Sequence, residues 1–482
     1  MKVLVEQKVF PCNLFLYFSA FTVNLITFSS GASYVWSSPA IPRLNGQIDP
    51  ENNPLKYNIT PQEESWIASC LPLAAAISAF LSGYLSDRIG RKNTLLLSGI
   101  PPIIAYIFLT FANETYYIYI GRFLCGLSAG TGLTIIPIYI GEIAQSNNRG
   151  FLGCLLVFFL ALGGLYIYFI SPIVSLQMLS ALNIIIPIIF LVLFGLFVPE
   201  SPYYYVIKNR IDLAEKSLLK FRYNNKEIVS KELPIIIKDV QASFSRKVTF
   251  KDVLKEEAVR KGVIVSIGLM VFQQWSGINA VFFYMQSIFE DTKVGLTSDT
   301  CVIIAGMIQF LTSVFTLPTV DKFGRRILLL ASAIGNALSL FVGGVYLYLK
   351  ENTAVDVSRL NLLPFITINV FVLTYTVGMG PVSFTMIGEL FPPHVKSLAA
   401  TVNIFACLVS MFLVTNIFPY MKESLGLGLS FISLAVICCA STVFIYFKVP
   451  ETKGKRLEEI QDVLLSKKSQ PIYESPNSDF EK

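Results

Sequence analysis

The sequence predicts an all-α membrane protein with twelve transmembrane helices in two six-helix halves and a small cytoplasmic helical domain between them. Three observations carry this. The 482 residues are 54% hydrophobic and only 15% charged, with a mean hydropathy of +0.61, too apolar for a soluble protein of this length. Apolar residues gather in twelve segments, each long enough to cross a bilayer core of roughly 30 Å at about 1.5 Å per residue. Short motifs of the first half also return in the second.

Span one, 14–36, has no small-residue cleavage site after it, so it reads as a retained helix rather than a secretory signal. The loop 37–65 carries the sequon Asn58-Ile59-Thr60, and span two, 66–85, runs into "DRIGRK" at 87–92. Spans three and four, 94–112 and 116–139, flank a second sequon at Asn113. Asn58 and Asn113 are the candidate glycosylation sites on the outer side. Span four ends in "IGEIAQSNNR" at 140–149, and spans five and six, 150–171 and 177–198, close the first half on "VPESP". Segment 203–258 has mixed charge and weak helical patterning, and reads as amphipathic and soluble. Span seven, 261–289, opens the second half, and span eight, 301–320, ends in "DKFGRR". Spans nine to twelve, 327–349, 362–390, 397–420 and 427–447, follow, with "IGELFPPHVK" at 387–396 and "VPETK" from 449. The polar tail 461–482 reads as disordered. The domains are therefore 1–198, 199–260, 261–449 and 450–482.

The paired motifs lie 234, 247 and 251 residues apart in the same order, which implies two halves related by duplication. Arg88, Arg91, Lys92, Arg149, Lys322, Arg325 and Arg326 fall in loops of one parity, so both termini are expected in the cytoplasm. The net charge of +6 reflects that topology and gives no support to a nucleic-acid partner. Glu142 and Glu389 each precede a base, Arg149 or Lys396, by seven residues, while Glu200 and Glu451 mark the exits of spans six and twelve. Unpaired ions at membrane depth are costly. With Arg88 and Arg325, these residues are expected to form a latch between the halves that shuts the cytoplasmic side.

Eight cysteines without CxxC spacing read as reduced packing residues. His394 is the sole histidine, so no His-based metal cluster or triad can be assembled, and neither metal nor cofactor is expected. The chain lacks a GxxxxGK[ST] phosphate loop and a nucleophile and base pair, which argues against an ATP-driven pump and an enzyme.

Within span seven, "QQWSGINAVFFY" (273–284) places the amides of Gln273, Gln274 and Asn279 in apolar surroundings. Helix-to-helix hydrogen bonding alone would give them about 0.6 to 2 kcal/mol each. On a straight helix Gln274 and Asn279 point about 100° and 240° away from Gln273. A break near Gly277 would bring the amides toward one ligand, as broken helices do in transporters. Amides both donate and accept, which suits a neutral, hydroxyl-rich ligand.

The segments "GYLSDRIGRK", "GRFLCG", "PIYIGEIA", "PESP", "QQWSGINAVFFY", "DKFGRR", "GMGPVSF" and "VPETKGK" together resemble the sugar porter family of the major facilitator superfamily, from about residue 20 to 460. "WSSPAIPRL" and "PESPYYY" look most like the insect facilitated trehalose transporters. The resemblance implies a major facilitator fold, a midplane sugar site and alternating access. It implies sugar contacts for the residues matching Gln273, Gln274 and Asn279, and an extracellular gate at Tyr284. Gln309 stands at a usual asparagine of span eight. Gly380 to Phe384 replace a Gly-Pro-x-Pro-Trp run, so Phe384 stacks on a sugar without an N–H to donate. An Asn-Trp pair of span eleven falls on Cys407 and Leu408, and an acidic position of span ten on Thr376. The span-one aspartate of proton-coupled relatives falls on Ser33, which does not titrate at physiological pH. The expected function is a facilitative carrier of a small neutral carbohydrate, trehalose or a hexose, without proton coupling. It is expected to be a monomer in the lipid bilayer of the cell membrane. A non-transporting sugar sensor and a carrier of a polyol or non-sugar solute stay open as alternatives.

Overall fold

The computed structural model describes residues 14–145, 148–244, 256–292, 295–353, 358–391, 393–455 and 457–465, which hold helices and no strand. Helix α1 (Leu14–Leu44) continues past the expected end of span one, through Pro39 and Pro42. Its last two turns are mostly buried, with Ser37 and Ser38 bonding Phe283 and Gln286 of the second half and Arg43 donating to the carbonyls of Ser171 and Val174 in the first. Helix α2 (Pro61–Ile89) starts on a capping box in which Thr60 and Glu63 satisfy each other's backbone N–H. Helices α3 (Arg91–Thr110), α4 (Thr115–Ile143) and α5 (Arg149–Ile170) are spans three to five. Span six divides into α6 (Leu176–Leu182) and α7 (Ile185–Phe197).

Between the halves stand α8 (Pro202–Ile207), α9 (Ile211–Phe221) and α10 (Lys226–Phe244). They enclose a small core of Val206, Leu218, Val229 and Ile236, as the amphipathic pattern of 203–258 implied. Arg222 ties this unit to the first half by donating to Ile143 O at 2.9 Å.

Span seven is broken into α11 (Glu257–Trp275) and α12 (Ile278–Thr292). After α13 (Ser298–Phe323) and α14 (Arg325–Asn352), span ten is broken too, into α15 (Leu363–Val377) and α16 (Met379–Leu390). Spans eleven and twelve are two helices within Pro393–Lys448, together called α17, separated by a non-helical kink at Gly426, φ +78. Helix α18 (Leu457–Leu464) follows. Most of the expected polar tail, from 466, lies outside the described residues.

In the first half α2 and α3 pack on α4, and α1 on α5; in the second, α14 packs on α15 and α17, and α11 on α17. Gly126 and Gly130 let α4 close on α2. A Cβ at either would stand 2.2 Å from Leu71 O or 2.1 Å from Ala75 O, an approach that only small residues permit. The halves meet along α1/α12, α2/α17 and α5/α13. Large apolar side chains such as Phe80, Leu196 and Phe447 face outward, in keeping with a lipid surround. One end of the bundle, here the basic end, holds Gly90, Gly324 and α8 to α10; the opposite, far end holds loops 45–60 and 111–114 and the turn at Gly426.

Candidate functional site

Gly277 breaks span seven at φ +89, and a Cβ there would meet Leu434 Cδ1 at 2.6 Å, so dihedral and space both demand glycine. The break swings Asn279 back over α11. Its Nδ2 donates to Gln274 Oε1, and Gln274 Nε2 donates to Cys407 Sγ at 3.0 Å. Two of the three amides thus meet, with a thiol where the resemblance implied an amide partner. Gln273 turns elsewhere, donating from Nε2 to Gly380 O at 3.0 Å beside the break in span ten. Among the described residues its buried Oε1 has no partner, so it stays open as an acceptor. Gln309 on α13 is half-buried and Phe384 on α16 is exposed. Neither hydrogen-bonds the amides among the described residues. Tyr284 is buried on the far-end side, where its hydroxyl donates to Thr415 O at 3.0 Å and its ring stacks on Phe418.

Sequence reasoning passed over Arg122, a fully buried residue of α4. Its Nε donates to Ile67 O at 2.8 Å, its NH1 to Ser33 O, and its guanidinium faces the rings of Trp36 and Phe283 at 5.8 and 5.7 Å. One guanidinium nitrogen, NH2, has no partner, and no carboxylate pairs with Arg122 among the described residues. A cation inside an apolar span was the available signal. Beside it, the Ser33 hydroxyl shares a hydrogen bond of 2.7 Å with Tyr106 and donates to Ser29 O.

Hydrogen bonds between the halves gather toward the far end. Ser37 donates to Phe283 O at 3.2 Å, the Gln286 N–H to Ser38 Oγ at 3.1 Å, and Gln47 to Asp291 at 3.2 Å. Ser65 donates to Asn416 O at 2.6 Å, and Asn416 Nδ2 to Ser69 Oγ at 3.0 Å. Within the second half, Lys422 holds Asp291 in place with an ion pair at 2.6 Å. Asn58 and Asn113 are exposed at this end.

At the basic end the charged residues form two equivalent clusters. In the first half Arg91 donates from Nε to both oxygens of Glu142 at 3.1 and 3.2 Å, and Glu200 accepts from the N–H of Lys92 and of Ser201. In the second, Arg325 pairs with Glu389 at 2.8 Å, and Glu451 accepts from the N–H of Arg325, Arg326, Thr452 and Lys453. Lys92 Nζ donates to Gly195 O, as Arg326 does to Tyr446 O. The 234- and 251-residue offsets are thus preserved contact by contact.

Glu142 and Glu389 bond Arg91 and Arg325. The side chains of Arg149 and Lys396, named with them in the expected latch, lie outside the described residues. Arg88 lies over the Tyr84 ring at 4.6 Å instead of joining the carboxylates. Both observed pairs join helices of one half, so they staple each half internally. The reason is the turn: Gly90 and Gly324, at φ +99 and +92, fold Arg91 and Arg325 back over the ends of α4 and α16. Burial raises the Glu200 carboxyl above its usual range, outweighing its backbone bonds to Ser201 and Lys92. Burial acts the same way on Glu451, but there the four backbone N–H groups prevail and hold it below that range.

The sequence matches, over residues 25–464, the family model described as "Sugar (and other) transporter". The chain belongs to the sugar transporter family. This sugar transporter is 33% identical over 458 residues to the facilitated trehalose transporter Tret1 of Culex quinquefasciatus, covering 95% of this chain and 87% of that one. It is 32% identical to the Tret1 of Bombyx mori over 95% of this chain and 88% of that one. The match to the Drosophila grimshawi Tret1, 34% identical over 93% of this chain, spans 48% of that relative. Among solved structures, the E. coli xylose transporter XylE in a partially occluded inward open conformation superposes with a TM-score of 0.76 at 22% identity, over 92% of this chain and 100% of that one. The proton:xylose symporter XylE bound to 6-bromo-6-deoxy-D-glucose gives 0.72 at 22% identity, over 93% and 99%. These two likenesses show the major facilitator fold. The chain is a multi-pass membrane protein of that fold.

Proposed function

We propose that this sugar transporter is a facilitative carrier of a neutral carbohydrate, trehalose or a hexose, which works by alternating access without proton coupling. The observation that carries the reading is the uncharged hydrogen-bonding wall at the two helix breaks. Gln274, Asn279 and the open acceptor of Gln273 offer donors and acceptors with no net charge, as a polyhydroxyl ligand needs. Its relatives named as trehalose transporters support that substrate class. Ser33 supplies no titrating group, and the neighbouring Tyr106 phenol stays protonated near neutral pH, which argues for uniport. In this reading the chain is no enzyme: its polar groups bind and position, and the family to which it belongs is one of transporters. The basic end faces the cytoplasm with both termini, by the positive-inside rule, in the cell membrane. Asn58 and Asn113 then face outward and are open to glycosylation. Tyr284 belongs to the far-end gate, and the staples keep each half rigid as the halves rock as monomer units.

The test is uptake of labelled trehalose and glucose into proteoliposomes holding the purified chain. Equilibration to equal concentrations, at a rate indifferent to an inward proton gradient, is expected. Accumulation abolished by a protonophore would overturn uniport, and saturable binding without uptake would make the protein a sugar sensor.

A further inference from the structure

A groove of about 1190 Å³ opens on the membrane-facing side at the basic end, between the start of α1, the end of α7 and the end of α9. Small-ligand pockets run to roughly 300 to 1,000 Å³, so this groove is larger than a compact solute fills. Its two ends differ in chemistry. One wall is built from Leu14, Phe18, Phe21, Leu196 and Phe197. Phe18 and Phe197 meet edge-on at 6.2 Å, which fixes α1 against α7, and Phe15 packs on Phe221 to hold α9 in place. Leu14 and Leu196 are each about three-quarters exposed, so no described residue covers this wall. The other edge is polar: Lys220, Tyr223 and Asn224 line it. Lys220 is exposed and has no carboxylate partner among the described residues. It lies within electrostatic range of Lys92, whose ammonium is anchored on Gly195 O next to the apolar wall.

We infer that this groove is a binding site for an anionic phospholipid, with an acyl chain along the Phe18–Phe197 wall and its phosphate between Lys220 and Lys92. The apolar wall alone would accept any lipid. Lys220 and Lys92 are two cations against the single carboxylate of Glu200, which binds the Lys92 N–H, so the polar edge keeps a demand for negative charge that a net-anionic headgroup meets and a zwitterionic one offsets with its own cation. The phenol of Tyr223 and the amide of Asn224 sit where glycerol and ester oxygens would lie, at the boundary between apolar and polar surroundings.

The experiment is native mass spectrometry of the full chain, released from detergent micelles doped with equal amounts of phosphatidylglycerol and phosphatidylcholine. The wild type is expected to retain phosphatidylglycerol at least several-fold over phosphatidylcholine, and Lys220→Glu to bring the two to parity. Lys238→Glu, a charge reversal at an exposed position of α10 that does not line the groove, should keep the preference. Equal retention of the two lipids by the wild type would overturn the proposal. So would a preference that survives Lys220→Glu, or one lost equally in Lys238→Glu, which would mark general surface charge. Retention that appears only after removal of residues 1–13 would assign the groove to the chain's own amino-terminal segment and equally overturn it.

Discussion

Gln274 and Asn279 hydrogen-bond each other, so neither can be treated as an independent contact with the sugar. Gln274→Ala should weaken sugar binding by about 0.5 to 1.5 kcal/mol, a few-fold to tenfold, and Asn279→Ala somewhat less. Because the two share a bond, the double variant should cost less than the sum of the singles, measured by tryptophan fluorescence or isothermal titration. Unchanged binding in the folded single variants would reduce the amides to packing groups. Arg122 presents the opposite case, a charge with too few partners. Its desolvation is only partly offset by two carbonyls and two ring faces. Replacing buried ionic groups by apolar side chains of similar size is often neutral or stabilising by about 1 to 4 kcal/mol. Arg122→Met should therefore raise the melting temperature of the purified protein while impairing uptake, because an uncompensated charge at this depth is retained for function. A lower melting temperature would show that its bonds to Ile67 and Ser33 outweigh the desolvation.

Helices read from the apolar pattern match the structure in order and position, while their breaks do so only where a glycine stands among side-chain amides. Gly277 was legible because three amides within seven residues pose a geometric problem that a straight helix cannot solve. The break at Gly378 was not, since its surroundings read as one continuous apolar run. Gly277→Ala should lower the melting temperature and abolish sugar binding together, because the left-handed conformation costs roughly 1 to 2 kcal/mol for a non-glycine residue and the added Cβ would strike Leu434. Gly454→Ala, also at positive φ but in open space, should pay only the conformational cost and leave binding intact. The charged clusters were half legible. Their repetition marked Glu142, Glu389, Glu200 and Glu451 as a set, but sequence spacing carried no sign that Arg91 and Arg325 reach Glu142 and Glu389 from a neighbouring helix. Arg122 was missed because one arginine in an apolar span shows no repeat or spacing. For Glu451, whose carboxyl is held below its usual value, the stabilisation is complete above the ordinary carboxylate pKa and is lost as pH falls through the depressed one. Glu451→Gln should consequently melt lower than wild type at pH 7, and the gap should narrow on acidification into that window.

At the scale of the whole molecule the two ends are built differently. The basic end spends its charge within each half, on Arg91–Glu142 and Arg325–Glu389, so those pairs survive when the halves rock apart. The far end spends its hydrogen bonds between halves, through Ser37, Ser38, Gln47, Ser65, Ser69 and Asn416. This division describes a carrier closed at the far end. Opening that end must break the cross-half bonds, each a net contribution of about 0.5 to 1.5 kcal/mol, and a shift of only a few such bonds redistributes a balanced two-state population. Asn416 matters most because its side chain reaches Ser69 while its carbonyl accepts from Ser65. Asn416→Ala removes the first bond and keeps the second, and Ser65→Ala on top of it removes both. Cys70 and Cys125, buried in α2 and α4 near Arg122, serve as native reporters of this opening. Site-resolved labelling of both thiols by a membrane-impermeant maleimide, added on the far side of reconstituted vesicles, should accelerate several-fold in Asn416→Ala and further in the double variant. Glu389→Gln, which loosens a staple inside one half, should leave that labelling rate near the wild-type value. If Glu389→Gln accelerated it as much as Asn416→Ala, the two ends would be energetically coupled, and the assignment of closure to the far-end bonds would fail.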